Sequence, residues 1–162
     1  MAATTGGYSS AALRDEADSL ELTGFSLADA LRLGRIATDI AVDRSLPVLI
    51  EIVLGQRVAY RAALPGTTTD NDEWLRRKFR VVARFEESTL AVRVAYEEKD
   101  RAFNEATGLP EAEFAAHGGG WPVKVAGVGM VGMFGVSGLP QVADHELIVE
   151  SLSIHLRESA RG

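Results

Sequence analysis

The sequence predicts one α/β domain of the α+β type, in which helices flank a mainly antiparallel sheet of about five strands. Two pairs of short apolar runs, residues 48–64 and 122–138, are each interrupted by a glycine turn, which is typical of β-hairpins. Amphipathic helical segments lie on both sides of these pairs. The length of 162 residues, with 46% hydrophobic and 25% charged residues, fits a single globular domain.

The N-terminal part is predicted to be a polar tail followed by two helices. Residues 1–10 are small and polar and are expected to fray, so that the single domain covers residues 11–162. The segment AALRDEADSLEL is typical of a short helix that runs toward a strand near Leu20 to Phe25. A serine and an aspartate with capping-box spacing then predict a helix over about 27–44.

The first hairpin follows Pro47. The run VLIEIVL is separated from RVAYRAAL by Gly55 and Gln56, and a two-residue turn with glycine first is the signature of a type II′ hairpin. The loop LPGTTTDN closes it. Thr69 and Asp72 have the spacing to cap the next helix, and its predicted buried stripe is Leu75, Phe79, Val82 and Phe85.

The C-terminal half is predicted to contain a helix, a second strand pair and a last helix. Ser88 is placed to cap a helix that ends at Gly108 and Pro110. The strands PVKVA and VGMVGMFGVSG meet near Gly127, and a helix over about 141–158 closes the chain. The predicted order is therefore α, β, α, β-β, α, α, β-β, α.

Charge and composition exclude several classes of protein. A net charge of −6 argues against nucleic-acid binding, which normally requires a basic excess. No run approaches the roughly 20 apolar residues of a membrane span, and the opening residues do not resemble a secretory signal, so a cytoplasmic location is expected. The absence of cysteine excludes disulfides and thiolate metal sites, and three histidines leave little material for a metal site made by the protein alone.

Two glycine motifs imitate well-known sites. GVGMVG at 127–132 matches G-x-G-x-x-G, but the residues after it alternate like a strand and no helix begins there, so close backbone packing is the better interpretation. HGGGW at 117–121 resembles an esterase oxyanion loop. The required G-x-S-x-G is missing, however, because leucine replaces the last glycine in GVSGL.

The basic segment WLRRKFR places Arg76, Arg80 and Arg84 on one face of a helix. Such a row could hold phosphate or carboxylate groups. A solvated surface, partly neutralised by acidic residues of the same helix, is the interpretation that the sequence favours. The row would be a candidate binding site only if a glycine-rich loop lay beside it.

Two long segments resemble a known family. LPGTTTDNDEWLRRKFRVV and AAHGGGWPVKVAGVGMVGMFGVSGLPQVADHELIVE are similar to the haem-degrading-domain superfamily of GlcG and HbpS-like proteins, closest to its uncharacterised branch. The resemblance implies a profilin-like fold and a bacterial homo-oligomer. It also implies haem as a candidate cofactor, because some members bind haem and help to degrade it.

The resemblance directs attention to a pocket for a small planar or anionic ligand. We expect it between the start of the 70–85 helix and the HGGGWP loop. The candidate ligand-binding residues are Asp70, Asn71, Trp74, Arg77, His117, Gly118, Gly119 and Gly120. His117 is the candidate ligand of a haem iron, and no other metal ligand is predicted.

Alternatives to this site remain open at the level of sequence. His117 could instead bond to backbone carbonyls or cap a helix. Asp144 is expected to cap the last helix with His145 exposed, and His155 is expected on the surface. The competing function is a non-enzymatic oligomeric scaffold, with the arginine row as a docking surface for an acidic partner.

Overall fold

The computed structural model describes residues 4–161, in which six helices surround one antiparallel sheet. The helices are α1 (Ser10–Ser19), α2 (Leu27–Asp43), α3 (Thr69–Phe85), α4 (Thr89–Glu97), α5 (Phe103–Thr107) and α6 (Gln141–Arg161). The strands are β1 (Leu49–Leu54), β2 (Arg57–Ala63), β3 (Gly120–Val125) and β4 (Gly129–Ser137). The sheet is open, with the order β2-β1-β4-β3, and helices flank it.

The described residues form four strands, so the expected fifth strand near Leu20 to Phe25 is wrong. Leu22 makes only an isolated bridge to Val125, in which its N–H donates to the carbonyl of Lys124 at 3.0 Å. The reason is local, because Ser26 already caps α2 through a capping box with Asp29. Leu20 is the C-cap of α1, so both ends of the segment serve helices and its pairing with the sheet is limited to Leu22.

The two central strands, β1 and β4, alternate their side chains between two cores. Ile50, Ile52, Phe134 and Val136 face α2 and α6 in the larger core. Leu49 and Val53 face the other side, where they meet α3. The β1–β2 turn has Gly55 at φ +62° and Gln56 outside the positive-φ region, which fits the predicted type II′ hairpin.

The glycines of the GVGMVG strand allow close packing, as predicted. A Cβ at Gly132 would overlap the carbonyl of Val53 on the neighbouring strand. A Cβ at Gly135 would overlap Leu75 and Phe79 of α3. This segment is therefore strand β4, on which a helix and a neighbouring backbone lie very close.

Three local expectations are corrected. The cap of α3 is Thr68 with Asn71, one residue before the expected pair of Thr69 and Asp72. The helix expected from Ser88 to Gly108 is divided into α4 and α5, because Asp100 has a φ of +54° in the polar segment between them. The last helix continues beyond 158 to Arg161.

The N-terminal tail lies partly outside the described residues, which begin at Thr4. Thr5 is buried, and the side chain of Gln141 at the start of α6 donates to the carbonyl and the hydroxyl of Thr4 at 3.2 and 3.1 Å. Among residues 4–161, no helix is long and apolar enough to cross a membrane.

Candidate functional site

A cavity of about 230 Å³ lies where four segments meet. The N-terminal half of α3 forms one wall, His117 forms a second, and the end of β4 with the start of α6 forms the rest. The lining residues are Asp70, Asn71, Trp74, Lys78, His117, Ser137, Gly138, Leu139, Gln141 and Asp144. The site therefore depends on the tertiary fold, since no single element carries it.

Trp74 and His117 form an aromatic pair at this cavity. Their ring centroids are 5.0 Å apart and the rings are nearly perpendicular, at 69°. The guanidinium carbon of Arg77 lies 3.9 Å from the centre of the Trp74 ring, on α3 one turn further along. The structure thus brings His117 next to Trp74 and Arg77, which lie on α3 and are far from it in the sequence.

His117 is half-buried and chemically available. Within the described residues, its ring nitrogens make no hydrogen bond to the protein, so the alternative of a histidine bonded to backbone carbonyls does not apply to its side chain. Burial lowers the pKa of His117 to about 4, and the positive charges of Arg93, Lys78 and Arg77 act in the same direction. The imidazole is therefore neutral near pH 7, which is the form that binds a metal.

A buried ion pair forms the floor of the cavity. The Nζ of Lys78 lies 3.0 Å from the Oδ2 of Asp144, and both residues are almost fully buried, at 3% and 1% exposure. Lys78 also donates to the carbonyl of Val136 at 3.0 Å, and Asp144 accepts from the N–H groups of Gly138 and Leu139 at 3.3 and 3.0 Å. Burial lowers the pKa of Lys78 and raises that of Asp144, whereas their mutual attraction opposes both shifts.

Gly118, Gly119 and Gly120, the last of which begins β3, do not line the cavity. The N–H of Gly118 donates to the side-chain oxygen of Gln141 at 3.1 Å, and that of Gly120 donates to the hydroxyl of Thr89 at 2.9 Å. Gly119 has a φ of +119°, and a Cβ there would meet the Nζ of Lys78 at 2.7 Å. Gly119 thus lets the chain pass close to the buried ion pair, whereas Gly118 lies against Gln141 and Gly120 against Thr89.

The expected site residues are mostly clustered, but their roles differ. Asp70, Asn71, Trp74 and His117 border the cavity. The amide oxygen of Asn71 accepts from the N–H of Thr68 at 2.8 Å, so that atom already serves the cap of α3. Arg77 stacks on the Trp74 ring and does not line the cavity.

Sequence reasoning missed the contribution of Lys78, Gln141 and Asp144. A usable signal existed for Lys78, which lies four residues after Trp74 and beside the apolar positions Leu75 and Phe79 of α3. A lysine at such a position is either exposed at the edge of the stripe or paired inside. No comparable pattern identifies its partner Asp144, because 66 residues separate the two.

The expectations for the other two histidines are wrong. His145 is fully buried, at 0% exposure, and its Nε2 lies 2.7 Å from a carboxylate oxygen of Glu16 on α1. His155 is also buried, at 2% exposure, next to Phe25. Both lie on the face of α6 that packs inward, and Asp144 turns into the cavity floor. Asp144 lies inside α6 and accepts the N–H groups of Gly138 and Leu139, which precede the helix, so it is not the N-cap that was expected.

The arginine row lies on the exposed face of α3. Arg76 pairs with Glu73 one turn earlier, and Arg80 donates to the carbonyl of Glu113 at 3.2 Å. Arg84 is exposed. The cation nearest the cavity is therefore Lys78, with Arg77 on the tryptophan, and the row of three arginines contributes none of its members to the lining.

A second cavity of about 380 Å³ lies on the other side of His117. Its walls come from α4, the segment between α4 and α5, and the loop before β3. Arg93 of α4 lines it and donates to the carbonyl of Ala116 at 3.4 Å. Of the residues that line these two cavities, His117 alone borders both.

Comparison with known sequences identifies relatives along most of the chain. A family model described as haem degrading protein HbpS-like matches residues 25–153. A UPF0303 protein of Streptomyces coelicolor is 42% identical over 148 residues, covering 91% of this chain and 94% of that protein. A UPF0303 protein of Acidobacterium capsulatum is 45% identical over 123 residues, covering 76% of this chain and 74% of that protein.

Solved structures share the fold. The crystal structure of the Ybr137w protein has a TM-score of 0.85 at 27% identity, covering 95% of this chain and 91% of that one. The PduOC:heme complex has a TM-score of 0.66 at 19% identity, covering 80% of this chain and 94% of that one. HbpS has a TM-score of 0.61 at 21% identity, covering 84% of this chain and 92% of that one. These last two similarities establish a common fold and nothing further.

Proposed function

The chain belongs to the HbpS-like family of haem degrading proteins, and from this membership we propose that it binds a small planar or anionic ligand in the cavity between Trp74 and His117. Haem is the ligand that the family indicates first. The single observation that carries the proposal is the state of His117, which is half-buried and packed on Trp74. Within residues 4–161, its ring nitrogens are not bonded to the protein.

The residues at the cavity have the chemistry that haem requires. A neutral imidazole such as that of His117 would be a suitable ligand of haem iron. Trp74 would supply an apolar surface, while Lys78 of the lining and Arg77, which stacks on Trp74 beside the cavity, would supply positive charge for propionate groups. A bound haem would supply iron-based oxygen chemistry, and the protein's own part would be to hold the ligand and its orientation.

The volume of the cavity limits how a large ligand could bind. About 230 Å³ is below the roughly 300 to 1,000 Å³ of sites that enclose a drug-sized molecule. A whole tetrapyrrole would therefore extend out of this cavity, and the second cavity beyond His117 offers further space. A smaller planar ligand would be enclosed.

The direct test is a titration of the purified protein with haemin, followed by its absorption spectrum. We expect saturable binding with a shifted Soret band in the wild-type protein. The shift should be lost in His117→Ala, whereas Arg84→Ala, an exposed substitution on α3 outside the cavity, should behave like wild type. A spectrum identical to that of free haemin, or identical binding in all three proteins, would contradict haem binding at His117.

A further inference from the structure

We propose that Lys78 anchors the carboxylate of a small planar ligand in this cavity. The inference rests on the proposed ligand cavity and deepens it by naming the class of ligand and the group that recognises it. Lys78 is buried, which is uncommon for a lysine even when it is paired, and it is one of the residues that line the cavity. Three further observations support the assignment.

The first observation is a hydrogen-bond donor in excess. A lysine ammonium has three N–H donors. Among the described residues, two acceptors serve the Nζ of Lys78, the carbonyl of Val136 and the Oδ2 of Asp144, each at 3.0 Å. Lys78 lines the cavity, and in the proposed complex its third N–H donates to a ligand oxygen there.

The second observation is the distribution of charge. Asp144 does not serve Lys78 alone, because its carboxylate also accepts the backbone N–H groups of Gly138 and Leu139. Arg93, Lys78 and Arg77 lie close enough to His117 to disfavour a proton on its ring, and they outnumber Glu111, which acts in the opposite direction. The remaining carboxylate of the lining, Asp70, is exposed to solvent at the mouth. The inner part of the cavity therefore favours a negative group.

The third observation is shape. Trp74 and His117 present two aromatic rings to the cavity, and such rings bind a flat molecule by stacking or edge contact. A volume of about 230 Å³ accommodates one aromatic ring with its carboxylate. The same recognition would apply to a carboxylate carried by a larger planar ligand that extends out of the cavity.

The test compares two probes of equal size, benzoate and benzamide, by calorimetric titration. We expect wild-type protein to bind benzoate about 10- to 100-fold more tightly, because only benzoate offers a charged acceptor to the ammonium. Lys78→Met alone leaves Asp144 buried and unpaired and risks unfolding. The informative variant is therefore the double change Lys78→Met with Asp144→Leu, which removes both buried charges together.

The double variant should lose the preference for benzoate while it still binds benzamide as the wild-type protein does. Arg84→Met, which removes an exposed cation from the same helix, should leave the preference unchanged. Equal binding of benzoate and benzamide to the wild-type protein would overturn the inference, as would an unchanged preference in the double variant. Absence of benzoate binding would overturn it as well. If haemin binding that depends on His117 persisted in any of these cases, the proposed function would stand without the lysine anchor.

Discussion

His117 is the residue whose environment sets the conditions for binding. Desolvation disfavours its charged form, and the nearby cations Arg93, Lys78 and Arg77 add to that effect. A histidine in water would be half protonated near pH 6.5, so a site that needs a neutral imidazole would weaken below that pH. In this cavity the same form persists to a much lower pH.

We predict that the pKa of His117, followed by the NMR shifts of its ring protons, is about 4. Binding that depends on the neutral imidazole should then remain nearly constant from pH 7 down to about pH 5. The chain has three histidines, and the signals of His117 are identified as those that disappear in His117→Gln. A midpoint near 6.5 for His117 would show that the ring is exposed to water in solution.

The same pKa shift makes a prediction for stability. Because folding lowers the pKa of His117, the unfolded chain binds a proton more readily, and stability falls as the pH decreases from 6.5 toward 4. His155, whose pKa is also lowered by burial, acts in the same direction. His117→Gln should therefore reduce the loss of stability between pH 7 and pH 4, measured by urea unfolding, without abolishing it. An unchanged pH profile would contradict the assignment.

The buried pair of Lys78 and Asp144 makes a separate prediction for stability. Lys78→Met leaves a buried carboxylate without its cation and should lower the free energy of unfolding by about 3 to 5 kcal/mol. The double change with Asp144→Leu should recover most of this loss, since replacing both charges by apolar groups is often neutral. Urea unfolding at pH 7 measures the free energy of unfolding of the single and the double variant. Additive losses in the double variant would show that the two side chains do not interact.

At the level of elements, the position of α3 decides whether the cavity forms. Its first two turns carry Asp70, Asn71 and Trp74, and its start is set by the capping box of Thr68 and Asn71. A shift of the cap by one residue would rotate the turn by about 100° and move Trp74 away from His117. The cap is therefore part of the site's architecture as well as of the helix.

Two neighbouring threonines allow the cap to be tested. Thr68→Ala should destabilise the protein by about 1 kcal/mol, because the hydroxyl of Thr68 accepts the N–H of Asp70 at the helix start. Thr69→Ala serves as the control and should change stability by no more than a few tenths of a kcal/mol, since Thr69 is exposed. Thermal unfolding of the two variants measures this difference in stability. A larger effect at Thr69 would restore the cap that the sequence first suggested.

The packing of α3 on β4 depends on Gly135. A Cβ at this position would overlap the side chains of Leu75 and Phe79, so Gly135→Ala should cost about 1 to 3 kcal/mol through overpacking. Gly24→Ala is a matched control, because no atom lies within 4 Å of the added Cβ. Equal stability of the two variants would mean that α3 can move away from the strand at no cost.

At the scale of the whole molecule, the sequence predicts individual helices and strands better than the tertiary contacts between them. The hairpins, the helices and the close approach at Gly132 and Gly135 follow from local periodicity and glycine placement. Trp74 and His117 were both named from the family resemblance, and their contact appears only in three dimensions. The burial of Asp144, His145 and His155 could not be predicted, because which face of α6 turns inward depends on elements more than 100 residues away along the chain, such as Glu16 of α1.

Because four segments contribute to the cavity, a bound ligand should stabilise the molecule as a unit. A ligand at 100 times its Kd that binds only the native state adds about 2.7 kcal/mol. For a domain of this size, about 1 kcal/mol raises Tm by roughly 2 to 4 °C, so the expected shift is about 5 to 11 °C. Calorimetric scans with benzoate and without it measure this shift. Lys78→Met with Asp144→Leu should show a much smaller shift at the same concentration, because its affinity is lower. Binding without any rise in Tm would mean that the ligand also binds the unfolded chain, and it would remove the cavity as the site.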